Sequence, residues 1–233
     1  MITERSVPVR IVRARGRELV VLHPTLAARY VSLVAAVAPA VEARLPASVA
    51  ANRLAAAGVD PPTLRLAPWR AERESFADRL ARLLADARCV VVADVRACYG
   101  SISPRVAREA LIGLGCRGGD ALAVQAFLAR LIPLGVRGLP VGPDPSAVLA
   151  NAVLSTADRA LAVAGVRHLR WVDDVVATVD GPRDAERLLA VLRRALGRLG
   201  LELNEAKTRI VREPSILAEA TTVSIARAGG LVG

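Results

Sequence analysis

The sequence predicts an α+β fold, and three observations carry that expectation. Residues 168–179 set apolar, largely β-branched residues on both sides of Asp173-Asp174, the pattern of two strands joined at a tight turn. Residues 89–94, Cys-Val-Val-Val-Ala-Asp, form a short continuous apolar run of the kind buried on both faces of a sheet. Around these strands lie segments with apolar residues at helical spacing, such as Leu188, Leu189, Leu192 and Leu196.

A chain of 233 residues, 53% of them hydrophobic, can bury a core as one large domain or two small lobes. Only 3% are aromatic, so Ala, Val and Leu must fill it. Lys and Arg number 32 against 22 acids, a net charge of +10 carried overwhelmingly by Arg. Such an excess fits a phosphate-rich partner, because guanidinium forks pair bidentately with phosphate oxygens. It also arises from a plain compositional bias toward Arg. Cys89, Cys98 and Cys116 lack Cys-x-x-Cys spacing and clustered His, which argues against zinc and against a disulfide framework. Residues 1–15 contain no apolar segment of signal-peptide type, and the greasiest run, 31–41, is interrupted by Pro39 and too short to span a bilayer. The expectation is a cytoplasmic protein with no membrane partner.

Taken in order, residues 7–22 alternate Val and Ile with Arg around Gly16, a hairpin with a basic tip. Its Arg10, Arg13, Arg15 and Arg17 suit a triphosphate or a template backbone, or simply a solvated hairpin. Thr25 is expected to cap a helix to about Arg44 with Leu26, Tyr30, Leu33, Val34 and Val37 on its core face. Pro61-Pro62 marks a break. A helix over 71–87 follows, burying Phe76, Leu80, Leu83 and Leu84. After the apolar strand ending at Asp94, Pro104 starts a helix, and Asp120 is expected to cap another over 121–131. Residues 138–146, dense in Gly and Pro, feed a helix over 146–162 and offer exposed amides for a phosphate or base pair, or serve as a connector. A helix over 184–199 ends at Gly200 as the C′ residue. Residues 201–210 read as turn plus strand, and Gly229-Gly230 as a loose tail.

Asp94 and the pair Asp173-Asp174 stand at strand ends. If those strands are neighbours in one sheet, three carboxylates converge, enough to hold two Mg²⁺ ions about 3.5–4 Å apart. Asp94-x-x-x-x-Tyr99, Gly138-Leu-Pro-x-Gly-x-x-x-Ser146, Trp171-Val-Asp-Asp174 and Leu201-x-Leu-Asn-x-x-Lys207-Thr stand in the order of reverse transcriptase motifs A to D. Arg17-Glu-Leu-Val-Val-Leu-His-Pro24 resembles the fingers segment of bacterial members of that family. The resemblance spans residues 8–212. The form of the 138–146 loop is most similar to the unclassified and abortive-infection enzymes of phage defence.

The resemblance implies a right-hand polymerase palm, a ferredoxin-like antiparallel sheet backed by helices, with partial fingers; the few residues after Lys207 depart from it, and no conventional thumb is expected there. Residues 1–88 would be fingers-like, 89–213 the palm (105–140 partly fingers), and 214–233 a tail. It implies RNA-directed DNA synthesis: Asp94, Asp173 and Asp174 carry Mg²⁺ or Mn²⁺, and Lys207 neutralises or protonates the leaving pyrophosphate. Tyr99 gates against a 2′-hydroxyl, Arg13, Arg17, Gly142 and Ser146 meet the nucleotide, and Trp171 packs under the primer end. Partners would be dNTPs, an RNA template, a DNA or RNA primer, and a second copy or subunit supplying the thumb. The family usually has Tyr where Trp171 stands and often Gln where Val141 stands; neither touches a metal ligand. The rival readings are a non-catalytic palm that binds nucleic acid and a template-independent nucleotidyl transferase.

Overall fold

The computed structural model describes residues 7–14, 16–55 and 64–212. Arg15, the Pro61-Pro62 break and the tail from 214 with Gly229-Gly230 lie outside the described residues. Strands β1 (Val9–Ala14) and β2 (Arg17–Leu22) pair antiparallel as a separate ribbon turned at Gly16, whose φ of +76° suits glycine. The main sheet contains β3 (Cys89–Asp94), β4 (Arg167–Trp171), β5 (Asp174–Val179) and β6 (Arg209–Val211), all antiparallel, in the order β4-β5-β3-β6. With helices between β3 and β4 and between β5 and β6, this is the connectivity of a ferredoxin-like split βαβ.

The period of two sorts the strand residues between two cores. Val91, Ala93, Val175 and Ala177 join the main core with α1 (Pro24–Glu42), α5 (Gly118–Leu131), α6 (Asp144–Val163) and α7 (Pro182–Gly197). Val90, Val176 and Leu169 face the other way, under Phe76, Leu80 and Leu84 of α2 (Trp69–Leu84). A strand covered on both sides needs a continuous apolar run, which 89–93 supplies. Helix α6 is buried almost all round from Pro145 to Ser155, its Ala147, Ala150 and Ala152 admitting close neighbours. Short helices α3 (Cys98–Ser101) and α4 (Pro104–Gly113) complete the connection from β3, and the three cysteines are free and buried.

Several boundaries differ from expectation for identifiable reasons. His23 rather than Thr25 caps α1: its Nδ1 accepts from the Thr25 amide (3.4 Å), with Pro24 in the first turn. Pro39 does not interrupt that helix, which runs through it and closes with the Ala43 amide donating to the Pro39 carbonyl (3.0 Å). By length and composition α1 is therefore, among the described residues, one helix that passes for a membrane span. Its Tyr30, Val34, Val37, Ala38 and Val41 are buried in the core. Asp120 lies inside the first turn of α5, which starts two residues earlier behind Arg117. Gly200 does close α7: at φ +69° it lets the Leu201 amide reach back to the Leu196 carbonyl (2.9 Å).

Ser146 is wholly buried, its Oγ 3.0 Å from the Tyr30 hydroxyl, while the Tyr30 ring stacks on Phe127 at 5.0 Å. Tyr30→Phe is expected to cost about 1–3 kcal/mol by leaving the buried Ser146 hydroxyl without its partner. Urea denaturation measures this, and adding Ser146→Ala should return part of the loss.

Candidate active site

The site begins with strand register. β3 and β5 pair so that Asp94 stands opposite Asp174. The Val95 amide donates to the Asp173 carbonyl (3.3 Å), which makes residues 95 and 173 a hydrogen-bonded pair and Asp94 with Asp174 the adjacent, closer kind. In such a pair the Cβ atoms lie about 4.5–5.5 Å apart on one face, and like charges repel. The acids do not both occupy the turn, as the sequence suggested. Asp174 is the first residue of β5, and the two-residue tip is Val172-Asp173, with Val172 at φ +55°.

Lys207 reaches the acids from the turn before β6. The Asn204 amide donates to the Asp94 carbonyl (2.8 Å), and the Lys207 and Thr208 amides fold back onto the Asn204 carbonyl (3.0 and 2.9 Å). The Lys207 Nζ then donates to Asp94 Oδ2 at 3.0 Å. That bond, followed by the charge of Asp94, holds the ammonium's pKa above its ordinary value. Burial, then the charge on Asp94, pushes the Asp173 carboxyl up. Asp174 goes further, up to about 7, through the surrounding protein and then the charges of Asp173 and Asp94, although its side chain stays open to solvent. Arg17, from β2, opposes both shifts. As placed, no three His, Cys, Asp or Glu side chains among the described residues are grouped to hold one ion. The donor set nonetheless fits a hard divalent cation in kind. It offers carboxylate oxygens only, gathered against their own repulsion, with an ammonium already drawn to one of them.

Tyr99 follows on α3, entered through Ala97 at φ +44°. Its carbonyl accepts from the Leu139 amide (2.8 Å), so the Gly/Pro loop lies directly on the Tyr99 turn. Gly138, at φ +60°, is required there: a Cβ would run into the Tyr99 carbonyl and come 2.6 Å from that of Gly100. At its far side the loop is tied to the ribbon by the Val20 amide donating to the Val141 carbonyl (2.8 Å). Gly142 is exposed beside that tie at φ +120°. Burial, then Cys98 and Asp173, raises the Tyr99 hydroxyl's pKa, and the neighbouring Cys98 thiol is pushed up to about 12.

The other expected residues separate. Trp171 pairs with Asp174, which puts it on the face of the acids, and its ring leans on Phe76 at 5.2 Å. Arg17 acts on the acids, whereas Arg13 pairs with Glu18 across its own ribbon (3.1 Å) and is not brought to them. Ser146 is a correction: it is sealed inside against Tyr30 and not presented to a nucleotide. Sequence reasoning missed Arg170, Asn151 and Asp158, all about 1% exposed and joined behind the acid hairpin. An arginine within an apolar strand, and two polar residues seven apart on one face of a buried helix, were the available signals.

Residues 36–223 match the family model described as reverse transcriptase (RNA-dependent DNA polymerase). No curated protein matches the chain. Among solved structures, it is similar to telomerase from Candida albicans in complex with the TWJ fragment of telomeric RNA, at 13% identity and a TM-score of 0.51. The likeness covers 88% of this chain and 41% of that one, so the chain spans about two fifths of its length, and it concerns the fold.

Two outcomes follow from this geometry. A carboxyl whose pKa is raised by folding favours the fold while protonated, and that advantage is lost as pH climbs from the carboxylate range through about 7. Asp174→Asn should therefore melt above wild type near and above pH 7, the gap closing toward pH 4, in thermal scans at low salt without divalent ions. Gly138→Ala is expected to cost at least about 1–2 kcal/mol in urea denaturation, the penalty of a left-handed residue with a Cβ, before its clash is counted.

Proposed function

The chain belongs to the reverse transcriptase (RNA-dependent DNA polymerase) family, and from that premise we propose that it adds dNTPs to a 3′-hydroxyl on an RNA template. The single observation that carries the reading is Asp94 opposite Asp174 in register, with Lys207 donating to Asp94. Asp94, Asp173 and Asp174 would hold Mg²⁺ or Mn²⁺. A divalent cation, when bound, supplies positive charge that acidifies the attacking hydroxyl and offsets charge on the leaving pyrophosphate. Lys207 is a protonated amine at the acids, suited to protonating that pyrophosphate. Tyr99 would fill the space a 2′-hydroxyl needs, Arg17 would meet the triphosphate, and Trp171 would support the primer end. In this reading the β3–β6 sheet is a palm and residues 1–88 are fingers-like. The form of the 138–146 loop supports a bacterial defence-type enzyme, working in the cytoplasm with a second copy or subunit to grip the duplex.

One observation favours a second reading, a non-catalytic nucleic-acid-binding palm: the ammonium of Lys207 already satisfies Asp94, and the three carboxylates are not grouped as an ion site. Two measurements separate the readings. Incorporation of dNTPs on primed RNA with Mg²⁺ or Mn²⁺ should fall by at least about a hundredfold in Asp94→Ala and Asp173→Ala, the upper end of what losing a residue that merely orients a metal ligand costs. Mn²⁺ should also raise the melting temperature of wild type and not of Asp173→Ala. Activity that survives either substitution sinks the polymerase reading. Product formed equally well without template points to an untemplated transferase.

A further inference from the structure

Arg170 is a buried arginine in a strand, 1% exposed, and its guanidinium spends every arm. Nε and Nη2 hold Asp158 of α6 (3.0 and 2.9 Å), and Nη1 donates to Asn151 Oδ1 (2.9 Å) and to the Val172 carbonyl (2.7 Å). Its own amide and carbonyl are fixed by Ser48 and Ala50 (2.8 and 2.9 Å), and His168 also meets Asp158 (3.3 Å). A buried ion pair of this kind is poor evidence of stability, since apolar residues of similar volume serve as well. Two contacts lie outside the ion pair, to Asn151 and to Val172, and the second reaches the acid turn. Val172 is β-branched and left-handed at φ +55°, a conformation costing of order 1–3 kcal/mol unless its surroundings impose it. It is also the residue that turns the chain into Asp173.

We propose that the Asp158–Arg170–Asn151 cluster is a positioning device: through the Val172 carbonyl it holds the strained turn and so sets Asp173 beside Asp94 and Asp174. Arg170 is a positioning residue, since it touches none of the acids. Its consequence for nucleotide addition rests on the function proposed above; its consequence for the turn does not.

The test reads the turn first. The Val95 amide donates to the Asp173 carbonyl, so its hydrogen exchange reports whether the tip stays docked on β3. Arg170→Lys keeps a charge for Asp158 but lacks the planar fork that also reaches Val172. It should speed Val95 exchange by roughly tenfold or more, the worth of one charge-assisted hydrogen bond, with Val91 and Ala93 unchanged relative to the global opening rate. Adding Val172→Gly, which adopts the left-handed turn without strain, should restore Val95 protection without restoring the melting temperature. If Val95 and the β3 interior lose protection together, or if glycine restores nothing, Arg170 only stabilises the fold and the proposal is wrong. Should Arg170→Lys fail to fold, Asn151→Ala removes one anchor of the guanidinium and must show the same local, glycine-rescued effect. Incorporation of dNTPs should follow Val95 protection across these variants. If protection follows the pattern in a protein with no incorporation at all, the positioning device stands and the function proposed above falls.

Discussion

The molecule is arranged around an unfavourable contact. Two carboxylates face each other across adjacent strands, in the pairing class that brings side chains closest, with a third on the next residue of the tip. Like charges so placed repel, and strand pairing has to be strong enough to hold them. That explains why β3 and β5 are written in Val and Ala and covered on both faces, by α2 on one side and by α6 and α7 on the other. The acids sit where this packed zone ends, so rigidity comes from the apolar residues behind them, and Asp174 at the end of the sheet stays open to solvent.

Much of this was legible in the residues, because local patterns set it. The run ending at Asp94, the apolar flanks of Asp173-Asp174, the helix start at Pro104 and the turn at Gly200 each follow from a rule acting over a few positions. The rest depends on distant partners. Ser146 reads as a loop residue until Tyr30, 116 positions away, closes over it. Val172 reads as a strand residue because a β-branched side chain avoids positive φ; the guanidinium of Arg170 overrides that preference from behind the sheet. Pro39 reads as an interruption of the apolar run 31–41, but α1 is held on neighbouring helices through residues on both sides of it.

Composition carries a further signal once the geometry is known. Lys207 is the only lysine in a chain with 32 basic residues, so every other basic position is arginine. At the one point where a positive charge meets Asp94, the side chain is the compact ammonium, which releases a proton far more readily than a guanidinium does. Against that background the lone ammonium at Asp94 stands out.

Trp171 gives the molecule a built-in optical reporter. It is one of only two tryptophans, lies on the face that carries Asp174, and rests half-buried on Phe76. The other, Trp69, is the first residue of α2, seven positions before Phe76, with the guanidinium groups of Arg70 and Arg73 over its ring (5.7 and 5.9 Å). Replacing Trp69 with phenylalanine would leave a single indole whose fluorescence colour and intensity track whatever settles beside the acids, with no dye attached.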